Sequence, residues 1–122
     1  MSQPPDPATY ELVVPATGPH VATSRMFMIG VANVAGCDED VVADVKLAVS
    51  EMVTAIVEDG AASEIRVTAT ISPGRLSIRI APWPDHIDVE DLGVLDIVDV
   101  LFPGTAADDG AVVIPVDLGH DA

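Results

Sequence analysis

Apolar positions recur along this chain with two different periods, and the changes of period mark out its elements. Tyr10-Glu11-Leu12-Val13-Val14 reads as a short strand that stops at Pro15. Thr17 is placed to cap a helix that tolerates Pro19 in its first turn, runs to Ala35 and ends at Gly36. Val41, Val45, Ala48, Met52 and Ala55 then fall on one stripe of a second helix, which extends to about Glu58 and ends at Gly60. Ile65, Val67, Ala69 and Ile71 alternate with Arg66, Thr68 and Thr70, the pattern of a half-buried strand. Ser72-Pro73-Gly74 turns the chain into a second alternating run, Leu76, Ile78 and Ile80, which Pro82-Trp83-Pro84 breaks. From about Asp88 to Leu101 a helical face carries Leu92, Leu95, Val98 and Phe102, with a stop at Pro103-Gly104. Asp109-Gly110 is a turn, and Ala111 to Leu118 is a last strand.

The order β-α-α-β-β-α-β predicts an α/β (α+β) domain. It is a two-layer sandwich in which a mostly antiparallel, four-stranded sheet carries three helices on one face. Residues 9–119 form this one domain. Residues 1–8, with Pro4, Pro5 and Pro7, are expected to be a disordered arm.

The first helix adds a complication. Met28, Ile29, Ala32 and Ala35 supply a stripe that can face the sheet, while Phe27, Val31 and Val34 supply a second. A helix apolar nearly all round is buried on more than one side. The second stripe either packs against neighbouring elements of the same chain or forms a protein interface; the interface, of a homodimer or with another partner, is the expectation carried forward.

Composition narrows the possibilities. At 122 residues and 49% hydrophobic, the chain can build an aliphatic core without disulfides, and its one cysteine, Cys37, allows no internal bridge. Twenty Asp and Glu against five Lys and Arg give a net charge of -15. That charge argues against nucleic-acid backbones and anionic membrane surfaces, and it suits a basic protein partner. The start of the chain has neither a basic region nor an apolar core of a targeting signal, and no apolar run approaches a membrane span, so the expected location is the cytoplasm.

Few residues read as ordinary catalytic or metal chemistry. Asp38, Glu39, Asp40 and Asp44 lack the loop glycine and terminal glutamate of a calcium loop, and they read as a solvated helix start favoured by the helix dipole. His20, His86 and His120 are scattered, so no metal site is expected. Cys37 reads as a loop or core thiol.

The stretch from Asp38 to Thr54, and above all Leu47-Ala48-Val49-Ser50-Glu51, resembles the Bergerat-fold (GHKL) ATPase domains of bacterial anti-sigma-factor serine kinases. In those domains this helix reads Leu-Ala-Val-Ser-Glu-x-x-x-Asn. The order of elements agrees from Glu11 to Leu118. The resemblance implies three nucleotide-binding elements, and each departs from the family pattern here. Glu51 stands at the position of the family's base, but the magnesium-ligating Asn is replaced by Ala55. The Asp that accepts from the adenine amino group is replaced by Ala81, with Pro82-Trp83-Pro84 in place of glycines; Asp85 and Asp88 lie off its register. The glycines that cradle phosphate are replaced by Leu92 and Val94, and the segment from Ala81 to Leu92, where the ATP lid would sit, is short.

The expected function is therefore a non-catalytic regulatory domain with a decayed ATP site, no cofactor, and Glu51 as a vestige of the base. The resemblance implies a sigma factor or a STAS-type anti-anti-sigma factor as partner. Two alternatives stand beside it. One is an active kinase using ATP and magnesium; the other is a small-ligand binder in the vacated pocket with Trp83 at its rim.

Overall fold

The computed structural model describes residues 8–87 and 98–119. Strand β1 (Ala8–Pro15) is followed by helices α1 (Pro19–Val34) and α2 (Glu39–Asp59), the hairpin β2 (Glu64–Ser72) and β3 (Arg75–Ala81), and the hairpin β4 (Ala106–Asp108) and β5 (Ala111–Asp117). Residues 98–101 are helical and lead into the turn at Pro103-Gly104; the rest of the expected third helix lies outside the described residues.

Helix α2 begins where the acidic cluster predicted a start. The Asp38 carboxylate caps it by accepting from the Val41 N–H at 2.9 Å, and Glu39 and Asp40 occupy the first turn, where the dipole favours negative charge. Gly60, at φ 78°, ends it in the left-handed conformation that glycine adopts without strain. Helix α1 starts differently from expectation. Gly18 is its N-cap, with no side-chain bond to the helix, and Thr17 Oγ1 instead pairs with His20 Nδ1 at 2.8 Å. Pro19 occupies the first turn, where its missing N–H costs nothing.

The sheet has five strands in the order β1-β2-β3-β5-β4, and every pairing is antiparallel. The strand beyond the expected four is β4. Asp109 and Gly110 both have positive φ, 49° and 77°, the backbone of a two-residue hairpin turn, and such a turn requires a strand on each side. Ala106-Ala107-Asp108 carries no β-branched or aromatic residue, so nothing in its own side chains marks a strand.

One sheet face is apolar. Ile65, Val67 and Ala69 of β2, Leu76, Ile78 and Ile80 of β3, and Val112, Ile114 and Val116 of β5 are all buried, and they pack with Val45, Ala48, Val49, Met52, Val53 and Ile56 of α2. The stripe on α2 is wider than the sequence periodicity suggested, because Val49, Val53 and Ile56 also turn inward. The opposite sheet face carries Thr9, Glu11, Arg66, Thr68, Thr70, Ser77 and Arg79 and meets solvent. None of the described helices is long and apolar enough to cross a membrane.

Charge repulsion acts on this compact form. The described ion pairs of arginine are at the surface: Arg66–Glu11 at 2.6 Å and Arg79–Asp108 at 3.5 Å. Exposed pairs contribute only about 0–1 kcal/mol each. Fifteen uncompensated negative charges outweigh them. Moderate sodium chloride should therefore raise the melting temperature, by roughly 3–5 °C if screening recovers about 1 kcal/mol. Thermal melts from low to moderate salt check this; a flat or falling trend would show that attractive pairs dominate.

Candidate functional site

The residues aligned with a nucleotide site sit on α2 and at the end of β3. Glu51 is half-buried on α2. Ala55, one turn further along the same face, packs against the core, and Ala81 is half-buried as the last residue of β3. Leu92 and Val94 lie outside the described residues. Methyl groups therefore stand at two of the positions where the resembled family carries an amide and a carboxylate. A methyl group neither ligates a metal ion nor accepts a hydrogen bond. Among the described residues every buried side-chain nitrogen and oxygen has a partner, so no orphaned polar group is aimed at a missing ligand.

The chain after β3 supplies a feature that spacing did not reveal. It leaves the strand through a cis Ala81–Pro82 peptide, and Trp83 then turns into the core, where only 4% of it remains exposed. Its backbone N–H donates to Gly110 O at 2.9 Å, and its indole Nε1–H donates to Ile87 O at 3.1 Å. The indole is thus satisfied by its own loop and adds its area to the core. His86 Nε2 lies 2.7 Å from Asp59 Oδ1, so the same loop is tied to the C-terminal end of α2. Residues 82–87 therefore run from the β4–β5 turn to the end of α2. The proline-flanked tryptophan was a legible oddity, but nothing in the sequence paired His86 with Asp59.

Trp83 does border a cleft, of about 180 Å³, with Asp85, Ile87 and Asp108–Ala111. That is below the roughly 300 Å³ where pockets for drug-sized ligands begin. A larger cleft of about 700 Å³ lies at the N-terminal end of α2, lined by Val41, Asp44, Arg75, Phe102, Pro115 and Asp117 among others. Neither cleft is lined by Glu51, Ala55 or Ala81.

Helix α1 corrects the expected interface. Val31 is 5% exposed and belongs to the core, and Phe27 packs against it; of the three residues only Val34, at 65%, is at the surface. Met28 and Ala32 of the first stripe and Val31 of the second share one buried face, because α1 packs against both the sheet and α2. Arg25 links the two helices by donating from Nε to Ser50 Oγ on α2, at 3.0 Å. Burial pushes the Cys37 thiol pKa up, and the adjacent Asp38 carboxylate adds to the shift, which disfavours the reactive thiolate. Among the described residues no three His, Cys, Asp or Glu side chains converge as a metal site.

Comparison with known proteins agrees with this architecture. The family model described as histidine kinase-like ATPase domain matches residues 14–97. The serine-protein kinase RsbW of Oceanobacillus iheyensis is 33% identical over 86 residues, covering 67% of this chain. The matched stretch is about half, 54%, of that relative's length. The match begins inside β1 and takes in both helices and the β2–β3 hairpin, the elements that hold Glu51, Ala55 and Ala81. By this match and by its fold, the chain belongs to the histidine kinase-like ATPase domain family.

Proposed function

We propose that this chain is a non-catalytic regulatory domain that works through protein contacts in transcriptional partner switching, on a fold whose nucleotide site no longer functions. The observation that carries the reading is the pair Ala55 and Ala81. Two elements distant in sequence each lack the polar group that the chemistry needs, while the apolar framework around them is intact. Loss of one could be compensated by a neighbour. Loss of both removes the metal ligand and the base anchor together. Trp83 supports the same reading, because the loop after Ala81 puts its aromatic surface into the chain's own core.

The partner in this reading is a sigma factor or a STAS-type anti-anti-sigma factor, and the acidic surface favours a basic one. On α1 the apolar residues left for a partner or a second copy are Met26 and Val34, 68% and 65% exposed. The step from fold to partner is an analogy with the family.

The competing reading is an ATP-dependent protein-serine kinase, favoured by the retained Glu51 and by the activity in the relative's name. Radiolabel transfer from ATP to a STAS-type substrate by the parent chain separates the two, and phosphorylation by the parent would refute the regulatory reading; the double substitution Ala55→Asn with Ala81→Asp then reads how deep the decay goes. A site degraded only at these positions would regain phosphoryl transfer to a STAS-type substrate. The decayed site stays silent, because Leu92 and Val94 replace the phosphate-cradling glycines. The same assay on the double variant checks this, and detectable phosphorylation would show that the decay is confined to positions 55 and 81.

A further inference from the structure

The two edges of the sheet are treated differently. At the β5 side, β4 is only three residues long, and Pro115 stands in β5 just beyond the segment β4 pairs with. Gly104 lies so close to this proline that a Cβ there would meet Pro115 Cγ at 3.4 Å. A short strand, a proline and a packed loop are the usual protections of a sheet edge. Strand β1, the other edge, is eight residues long, with Pro15 only at its end, and among the described residues nothing pairs with its outer side.

The register says which backbone groups are free. Ala16 N–H donates to Ser63 O at 3.0 Å, continuing the ladder in which Val14 faces Ile65 and Leu12 faces Val67. In an antiparallel pair the bonding direction alternates along the strand. Even-numbered residues of β1 therefore turn their N–H and C=O toward β2, and Thr9, Glu11 and Val13 turn theirs outward. Three donor–acceptor sets lie two residues apart along an open edge.

Apolar surface overhangs this edge. Arg25 of α1 reaches α2, and Val34, nine residues later, lies half a turn round the helix from it. α2 sits toward β5, with Val41 and Asp44 beside Pro115 and Val116 in one cleft, so the flank of α1 that carries Phe27 and Val34 is on the β1 side. Phe27 is partly buried, Val34 is 65% exposed, and Tyr10 of β1 is 36% exposed. An added strand would hydrogen-bond to Thr9, Glu11 and Val13 and place every second side chain beneath this flank.

We propose that the outer edge of β1 is a docking site for an extended segment of a basic partner protein, apolar at alternate positions, which adds a sixth strand to the sheet. Charge decides between occupants. A second copy brings another net charge of -15; Glu11 at this edge is already balanced by Arg66, so the net charge of the chain sets the preference. A segment with lysine or arginine on its solvent side meets attraction instead. The site deepens the protein-binding reading and rests on it, but it is independent of whether nucleotide binds.

The test is backbone amide hydrogen exchange by NMR, with a capped heptapeptide alternating lysine and valine as the probe. On saturation the amides of Thr9, Glu11 and Val13 should slow by about tenfold or more, while those of Tyr10 and Leu12 are already protected. A peptide N-methylated on its strand-forming amides should bind at least about tenfold more weakly. Val13→Pro, which removes one outward N–H and none that β2 uses, should do the same. Equal binding by the N-methylated peptide, or protection elsewhere on the domain, would overturn the site. Protection of the three amides that rises with protein concentration alone would overturn the partner and assign the edge to a second copy. None of these outcomes depends on the nucleotide titration, so the site and the decayed-pocket reading fail separately.

Discussion

Val31→Asp should unfold the domain, while Val34→Asp, three residues further along the same helix, should leave it intact. Val31 is 5% exposed and packed in the core, and Val34 is 65% exposed. A carboxylate at position 31 finds no described cation within the apolar cluster, so it either remains charged in a low-dielectric layer or takes up a proton and still lacks a partner. A buried, unsatisfied polar group together with the missing packing of the valine belongs to the mutations that exceed about 4 kcal/mol. Domains of this kind are stable by only about 5–15 kcal/mol, and this one also carries strong self-repulsion. Val31→Asp is therefore expected to lose its cooperative melt, or to melt well below the parent, with loss of helical circular dichroism. Val34→Asp should stay within about 0.5 kcal/mol of the parent. A Val31→Asp variant with a native spectrum and an unchanged melt would mean that α1 does not pack as described.

That pair of residues also shows where sequence reasoning reached its limit. Phe27, Val31 and Val34 fall on one stripe by spacing, and spacing alone makes them equivalent. Their fates differ because α1 has two neighbours, the sheet and α2, and the angle between those contacts sets how wide the buried face becomes. Arg25 bonds to Ser50 across that packing, and a contact across 25 residues has no local signature. The strands of the β2–β3 hairpin were legible because each buries one face and alternates cleanly, with Ile65 to Ala69 and Leu76 to Ile80 inward. β4 was not legible, since an alanine-rich strand of three residues is specified by its turn and its partner rather than by its own side chains.

The candidate site reads from the sequence as a set of substitutions. Glu51, Ala55 and Ala81 could be placed by resemblance, and the structure puts them on α2 and at the end of β3. What the sequence hid was the loop between them and the rest of the fold. Trp83 borders a small cleft, yet its indole is also a core group, and its polar edge is satisfied by Ile87 O. The tie from His86 to Asp59 is likewise a long-range contact.

Above all, this fold is expected no longer to hold a magnesium nucleotide. In the resembled family the Asn on the second helix ligates the metal and the Asp after the third strand anchors the base; here both positions are alanine. Removing one charge-assisted contact to a buried ligand costs roughly 1.5–3 kcal/mol. Removing two costs about two to four decades of affinity. Isothermal titration calorimetry of the whole chain with ATP, with and without magnesium, reads this loss without an intermediate step. No saturable heat is expected at ATP concentrations up to about 1 mM, and no difference when magnesium is added. A saturable, magnesium-dependent isotherm with a dissociation constant on the order of 10 µM or tighter would show that the nucleotide site is intact.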